Sequence, residues 1–292
     1  MPVRPRRSAL YMPGSNARAL EKAKTLAADV VIFDLEDAVA PEAKASAREQ
    51  VMAAVTGGGY GQRELVVRIN GLDTPWGRED LARAAAAAPD AILVPKVSSA
   101  AQLAEVGRAL ASAPERVSVW AMIETTLGIL NLREIAGVAR DPATRLTCFV
   151  LGTNDLVKET RAELDENRTA ALYWLSAAVT AARAHGIDVL DGVYNSFKDI
   201  EGFRRECIQG RRLGMDGKTL IHPDQIAPAN EIFSPAAAEV EWARKVIAAF
   251  AEPQNQGKGV ITVDGRMVEL LHAEIARRTV EIAEAIAARE NG

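Results

Sequence analysis

Asp34, Glu36 and Asp37 stand within four positions of one another, directly after the apolar residues 30–33. Glu124 in "MIET" and Asp155 in "GTNDL" also follow apolar stretches, as do Arg68 in "VVRIN" and Lys96 in "ILVPK". Two carboxylates facing one mouth repel each other, and a cation between them removes the repulsion. Glu124 and Asp155 are read as such a pair, against the alternative that they are unrelated surface acids. With oxygen ligands and no His or Cys nearby, Mg2+ is favoured over zinc, with water or substrate completing an octahedron. Arg68 ends an apolar run and must be paired, either by bridging Glu36 or Asp37 or by clamping a substrate carboxylate. A divalent ion and two carboxylates sum to zero, so Arg68 is expected to leave the pocket one positive charge. That suits a small monoanion such as a 2-oxo acid. Lys96 offers Schiff-base chemistry with a carbonyl substrate, set against simple extension from the rim to water.

These residues need elements to bring them together. Short aliphatic or β-branched runs occur at 8–12, 29–33, 65–69, 91–94, 117–123, 146–151, 187–190 and 219–221. Between them, stretches such as 17–28, 44–55, 100–111 and 170–185 carry apolar residues at helical spacing. Alternating β and α segments imply parallel strands joined by right-handed crossovers. Eight units over residues 1–230 predict an α/β fold, a closed (β/α)8 TIM barrel, rather than an open doubly wound sheet. The active site of such a barrel lies at the C-terminal ends of the strands, where these polar residues fall. Alternation along a strand places Asp34 and Glu36 on one face and Leu35 and Asp37 on the other, so the three carboxylates are not expected to share one centre. Residues 231–292 form a C-terminal extension: a helix over 235–251, a connection "NQGKG", a hairpin about Asp264-Gly265 and a final helix over 272–289.

Composition excludes several roles. The 292 residues are 48% hydrophobic and 25% charged, with a net charge of −4, which argues against nucleic acid or a membrane surface as partner. Cys148 and Cys207 are too few for a disulfide framework or a thiolate zinc site, and a reducing cytoplasm fits them. No signal peptide or membrane span is expected. His185, His222 and His272 are scattered and form no metal-binding pair. "GGGYG" at 57–61 follows a helix and precedes a strand, and is read as a flexible connection rather than a phosphate loop.

Taken together, "SALYMPGSNARALEKA", "VIFDLEDAVAPEAKASAR", "VVRINGLDTPWGREDL", "ILVPKVSS", "WAMIET", "LGTNDL", "GVYNSF", "GKTLIHPDQI" and "GKGVITVDGRMVELLH" carry a resemblance. In this order they resemble the citrate lyase β-subunit-like and malyl-CoA lyase family, from Arg7 to the last helix. The resemblance implies a magnesium-dependent barrel that cleaves a short 3-hydroxyacyl-CoA, of the malyl-CoA, methylmalyl-CoA or citramalyl-CoA type, into an acyl-CoA and a 2-oxo acid. Glu124 and Asp155 match the magnesium ligands and Arg68 the arginine that contacts substrate beside the metal. Glu36 and Asp37 match acidic residues that order this centre. Tyr11 and Lys22 fall where the family holds the coenzyme A phosphates. A further arginine of that segment is replaced by Asn16, with Arg18 as the candidate substitute. Asn154 and His222 are assigned to substrate and to the acyl-CoA channel, and Lys96 reverts to reaching from rim to water.

The resemblance makes the tail a lid over a neighbouring subunit's site, so a homotrimer or homohexamer is expected. It also implies that the lid delivers an aspartate handling the proton of the acetyl-CoA methyl group. Here Glu269 stands in that place, its carboxylate displaced by about 1.5 Å, the length of one carbon–carbon bond. A carboxylate so placed could direct water at the thioester carbonyl instead, and the tail also resembles the family's malyl-CoA thioesterase branch. On the sequence, carbon–carbon lysis is narrowly favoured over thioester hydrolysis. A third reading, a silent or acyl-carrier-protein-dependent citrate lyase β-like subunit, is opposed by the complete tail.

Overall fold

The strands are written as runs of buried aliphatic residues because both of their faces are covered. Val30 to Phe33 are fully buried, two side chains facing the barrel axis and two the surrounding helices. The computed structural model describes residues 3–290. Its parallel strands are β1 (Ser8–Pro13), β2 (Val30–Asp34), β3 (Glu64–Arg68), β4 (Ala91–Val94), β5 (Ser118–Ile123), β6 (Leu146–Leu151), β7 (Asp188–Asp191) and β8 (Gly217–Leu220). They neighbour one another in chain order, and β1 pairs with both β2 and β8, so the sheet closes. The closed (β/α)8 barrel expected from the sequence is the observed fold.

Alternate residues point inward. Ala9, Val30, Ile32, Val66, Ala91, Leu93, Trp120, Met122, Cys148, Val150 and Leu190 fill the interior as one cluster. At the N-terminal end Arg6 lies over the Trp120 ring at 4.7 Å and donates to Glu64, at 2.8 and 2.7 Å, and to Asp188 at 2.7 Å. These ion pairs close the end of the barrel opposite the strand C-termini. The largest departure from the expected bounds is the first helix, which is Ala17–Ala23, not 17–28. The chain tightens there into bonds from Lys24, Thr25 and Leu26 to carbonyls three residues back, because β2 starts only a few residues later.

Residues 6–230 form one compact unit, and residues 231–290 with 3–5 form a second. The second contains helix Ala237–Ala251, the antiparallel strands β9 (Val260–Val263) and β10 (Arg266–Glu269), and helix Leu270–Glu290. Asp264 and Gly265 both have positive φ, 47° and 77°, as a two-residue turn joining right-twisted strands requires. Ala243, Val246, Ile261, Val263, Val268, Ala273 and Ala276 form this unit's own core. Among the described residues no helix is long and apolar enough to cross a membrane.

Candidate active site

Inward parity, continued to the strand ends, selects the mouth residues. Ile32 is followed two positions on by Asp34, Val66 by Arg68, Met122 by Glu124, Val150 by Gly152 and Ala9 by Tyr11. Asp34 and Arg68 are register partners at the ends of β2 and β3. Their side chains form a two-pronged pair, with Arg68 Nε and Nη2 each donating to an Asp34 oxygen at 2.7 Å. The third nitrogen, Nη1, lies 2.9 Å from Glu36 Oε2 and donates to Asp37 Oδ2 at 3.4 Å. The guanidinium sits 4.8 Å from the centre of the Tyr11 ring.

This geometry corrects two expectations. All three carboxylates of the β2 end meet one guanidinium, because strand alternation stops at Asp34 and a turn follows. Asp34 holds that turn itself by accepting from the backbone N–H of Glu36 at 2.9 Å and of Ala38 at 3.1 Å. Nor does Arg68 leave the pocket one positive charge, since Asp34 already compensates it. Asp34 was the partner missed in the motif. The signal for it was the shared terminal position of two neighbouring parallel strands.

The turn is also supported from behind. Lys44 Nζ donates to the carbonyls of Leu35 and Glu36 at 2.8 and 2.7 Å. Asn70 Nδ2 donates to the Leu35 carbonyl at 2.9 Å and to Asp80, which Arg48 in turn holds. Burial pushes the Glu36 carboxyl up, against the pull of Arg68 and Lys96.

Glu124, at the end of β5, is fully buried. Its Oε1 accepts from the Lys96 backbone N–H at 2.8 Å, while Oε2 is buried without a hydrogen-bond partner. Burial first, then the charge of Glu36, pushes this carboxyl up to about 8; the Lys96 N–H and Arg68 oppose the shift and Asp155 adds to it. A buried carboxylate oxygen with no donor, near other acids, is the environment a bound cation would relieve. Asp155 lies in the first turn of helix Thr153–Thr160, which follows β6. Among the described residues no three His, Cys, Asp or Glu side chains form a set that could hold a metal. A divalent ion on Glu124 and Asp155 would therefore take most of its ligands from water or substrate, as Mg2+ commonly does. The residues present fit that ion.

Gly152 makes room for Glu124. A Cβ there would lie 2.4 Å from Glu124 Cβ and 2.5 Å from its Oε2. Gly152→Ala is expected to displace the carboxylate, lower activity by about 10- to 100-fold and weaken Mg2+ binding. Steady-state kinetics at varied Mg2+ tests this, and an unchanged Mg2+ dependence would refute it.

Residues 7–223 match the family described as HpcH/HpaI aldolase/citrate lyase. The chain belongs to this family. It is 51% identical to a protein of Cereibacter sphaeroides named (3S)-malyl-CoA thioesterase, over 97% of this chain and 96% of that one. It is 38% identical to the L-malyl-CoA/beta-methylmalyl-CoA lyase of the same species, over 98% and 97% of the two chains. Among solved structures it resembles the Mycobacterium tuberculosis CitE protein in complex with magnesium, acetoacetate and coenzyme A. That match has a TM-score of 0.72 and 31% identity and covers 94% of this chain and 97% of that one.

Within this aldolase/citrate lyase barrel the remaining candidates are spread out. Tyr11 is at the centre, under Arg68. Arg18 and Lys22 are exposed on the first helix. Asn16, in the place of the displaced arginine, caps that helix by accepting from the Ala19 N–H at 3.1 Å. Asn154 exchanges amide hydrogen bonds with Asn195, at 3.3 and 2.8 Å, after β6 and β7. His222 stacks on Phe197, ring centres 4.8 Å apart, and its Nδ1 accepts from the Asp224 N–H at 3.3 Å. Glu269 ends β10 in the C-terminal unit, where its N–H donates to His272 Nδ1 at 2.9 Å. Lys96 does more than reach for water: its Nζ donates to Glu36 Oε1 at 2.8 Å. That bond and the Glu36 charge outweigh burial and hold the ammonium above its ordinary value, which disfavours the free amine a Schiff base needs.

Proposed function

We propose that this chain is a Mg2+-dependent acyl-CoA enzyme that hydrolyses the thioester of malyl-CoA to malate and coenzyme A. The observation that carries the reading is the likeness to malyl-CoA thioesterases along nearly the whole of both chains, at 51% identity against 38% for the malyl-CoA lyase. Hydrolysis thus moves ahead of the carbon–carbon lysis narrowly favoured on the sequence.

Glu124 and Asp155 would hold the ion, which supplies Lewis acidity toward oxygens of the acyl chain. Arg68, kept in one orientation by Asp34 and the Tyr11 ring, presents a fixed positive group to an oxygen that gains charge. Tyr11, Arg18 and Lys22 are assigned to the coenzyme A moiety, with Asn154 and His222 toward the acyl chain. Glu269 is assigned the proton of the attacking water: the water oxygen bonds to the thioester carbon, the carbon–sulfur bond breaks, and the thiolate takes up a proton. This needs the tail to act as a lid on a neighbouring subunit's site, in a homotrimer or homohexamer. Met267, Leu270, Leu271 and Ile275 are exposed around Glu269, which supports a covering role.

Lysis is the second reading, favoured by the likeness to the lyase over 98% of this chain. There the hydroxyl proton leaves, the C2–C3 bond breaks to give glyoxylate, and the enolate of acetyl-CoA is protonated at carbon. Purified protein with Mg2+ and malyl-CoA separates the two when glyoxylate and free thiol are followed independently. Thiol without glyoxylate is the expected outcome; glyoxylate without thiol would overturn hydrolysis in favour of lysis, and neither product would overturn both.

A further inference from the structure

Glu159 stands against two local preferences. It lies four residues after Asp155 in helix Thr153–Thr160, so the two carboxylates share a face one turn apart and repel each other. It is also in the last turn, where the helix dipole disfavours negative charge. A side chain placed against both preferences calls for a tertiary partner. That partner is Thr126, two residues after Glu124, at the start of helix Thr126–Leu130. Glu159 Oε2 accepts from the Thr126 backbone N–H at 2.7 Å and from its hydroxyl at 2.9 Å. These two bonds hold the Glu159 carboxyl below its ordinary value.

Helix Thr126–Leu130 does not depend on Glu159 for its start. Thr125 caps it, with Oγ1 accepting from the Gly128 N–H at 2.9 Å, and water can serve the remaining N–H groups of a first turn. What the Glu159–Thr126 contact adds is a second fixed point for helix Thr153–Thr160. The first is Gly152, whose N–H donates to the Ile123 carbonyl at 3.1 Å and where a Cβ would lie 2.5 Å from Glu124 Oε2. A helix held at its start and by one buried side chain, Leu156, can still turn about its axis and carry Asp155 away from the end of β5. Because Asp155 and Glu159 share a face, tying Glu159 to Thr126 directs that face at the residues after Glu124. The anchor is itself fixed from the other side: Thr125 Oγ1 lies 2.7 Å from Ser98 Oγ, and Asn131 Nδ2 donates to the Ser98 carbonyl at 2.8 Å.

We infer that Glu159 is a positioning residue for the cation site, setting Asp155 against Glu124 through its two bonds to Thr126. The inference rests on the assignment of Mg2+ to Glu124 and Asp155. With only two protein carboxylates on an ion that demands near-octahedral geometry, a displacement of one against the other falls directly on affinity.

Mn2+ binding, read from the loss of the free ion's paramagnetic resonance signal, provides the test, with Mn2+ standing in for Mg2+ at oxygen ligands. Dissociation constants are measured for the wild type, Glu159→Gln, Glu159→Ala, Thr126→Val, Glu159→Ala/Thr126→Val and Glu124→Gln, with thermal melts of each metal-free protein. Glu159→Ala is expected to weaken Mn2+ binding about tenfold. Glu159→Gln, whose amide oxygen can accept the same two bonds, should keep most of the affinity, and Thr126→Val, which removes one bond, should fall between. The double variant should bind no more weakly than Glu159→Ala, because both changes act through one contact. A residue that only supports the fold would lower the melting temperature of the metal-free protein and leave the dissociation constant unchanged. That result, or a Glu159→Gln protein as weak as Glu159→Ala, would overturn the assignment of Glu159 alone. A wild type that binds Mn2+ no more tightly than Glu124→Gln would overturn the metal site and this inference with it.

Discussion

Arg68→Ala is expected to lower malyl-CoA turnover about a thousandfold and to destabilise the barrel by about 3–5 kcal/mol. The activity loss follows from removing a preorganised positive group at the mouth. The stability loss has a separate origin, because Asp34 is 1% exposed and would be left buried without its two-pronged partner. Breaking a buried pair from one side leaves an uncompensated charge, whereas removing both members costs much less. The double variant Arg68→Ala/Asp34→Ala should therefore recover a large part of the stability and none of the activity. Denaturant melts and steady-state kinetics on the single and double variants check both arms. A double variant that is as unstable as the sum of its singles would show that the pair is not coupled.

Glu124→Gln should have a comparable effect on turnover and a distinct pH signature. The Glu124 carboxyl is raised from 4.5 to about 8 in the folded chain by burial and by the charge of Glu36. For an acid raised in this way the native state holds a proton that the unfolded state has released. Its stabilising contribution is complete below about 4.5 and is lost as pH rises toward about 8. Metal binding requires the carboxylate, so Mg2+ must displace that proton, and its affinity should climb between pH 6 and pH 8 with about one proton released per ion. Thermal shifts with and without Mg2+ should widen over the same range in the wild type. In Glu124→Gln the Mg2+-dependent shift should vanish, and so should the loss of metal-free stability that this group causes as pH rises. A variant that keeps the Mg2+-dependent shift would remove Glu124 from the ion's site.

Much of the fold could be read from the residues alone. Each strand of the barrel coincides with one of the apolar runs to within two residues at either end, because a strand buried on both faces is mostly apolar, with polar residues such as Glu64, Arg68 and Asp191 falling chiefly at strand ends. The hairpin at Asp264-Gly265 was equally legible, since those residue types tolerate the left-handed turn that joins right-twisted strands. The polar residues at the strand ends marked where a site would be. Their mutual arrangement was less legible, because it depends on register and on turns rather than on composition.

Asp34 shows the difference. Its position at the end of β2 was visible, but that it faces Arg68 depends on the stagger of two parallel strands, which sequence separation does not encode. The meeting of Asp34, Glu36 and Asp37 at one guanidinium depends on a turn that the Asp34 carboxylate itself folds, so local alternation gave the opposite answer. Lys96 could be recognised as a cation on the rim. Its left-handed backbone, which points one N–H at Glu124 and the ammonium at Glu36, is imposed by the neighbouring strand. The sequence by itself determined the barrel, the tail elements and the set of acids and bases at the mouth, because burial and turn preference act locally. Only the tertiary structure decided which charges compensate one another and which remain available to a ligand, because those pairings are made between strands that closure of the barrel brings together.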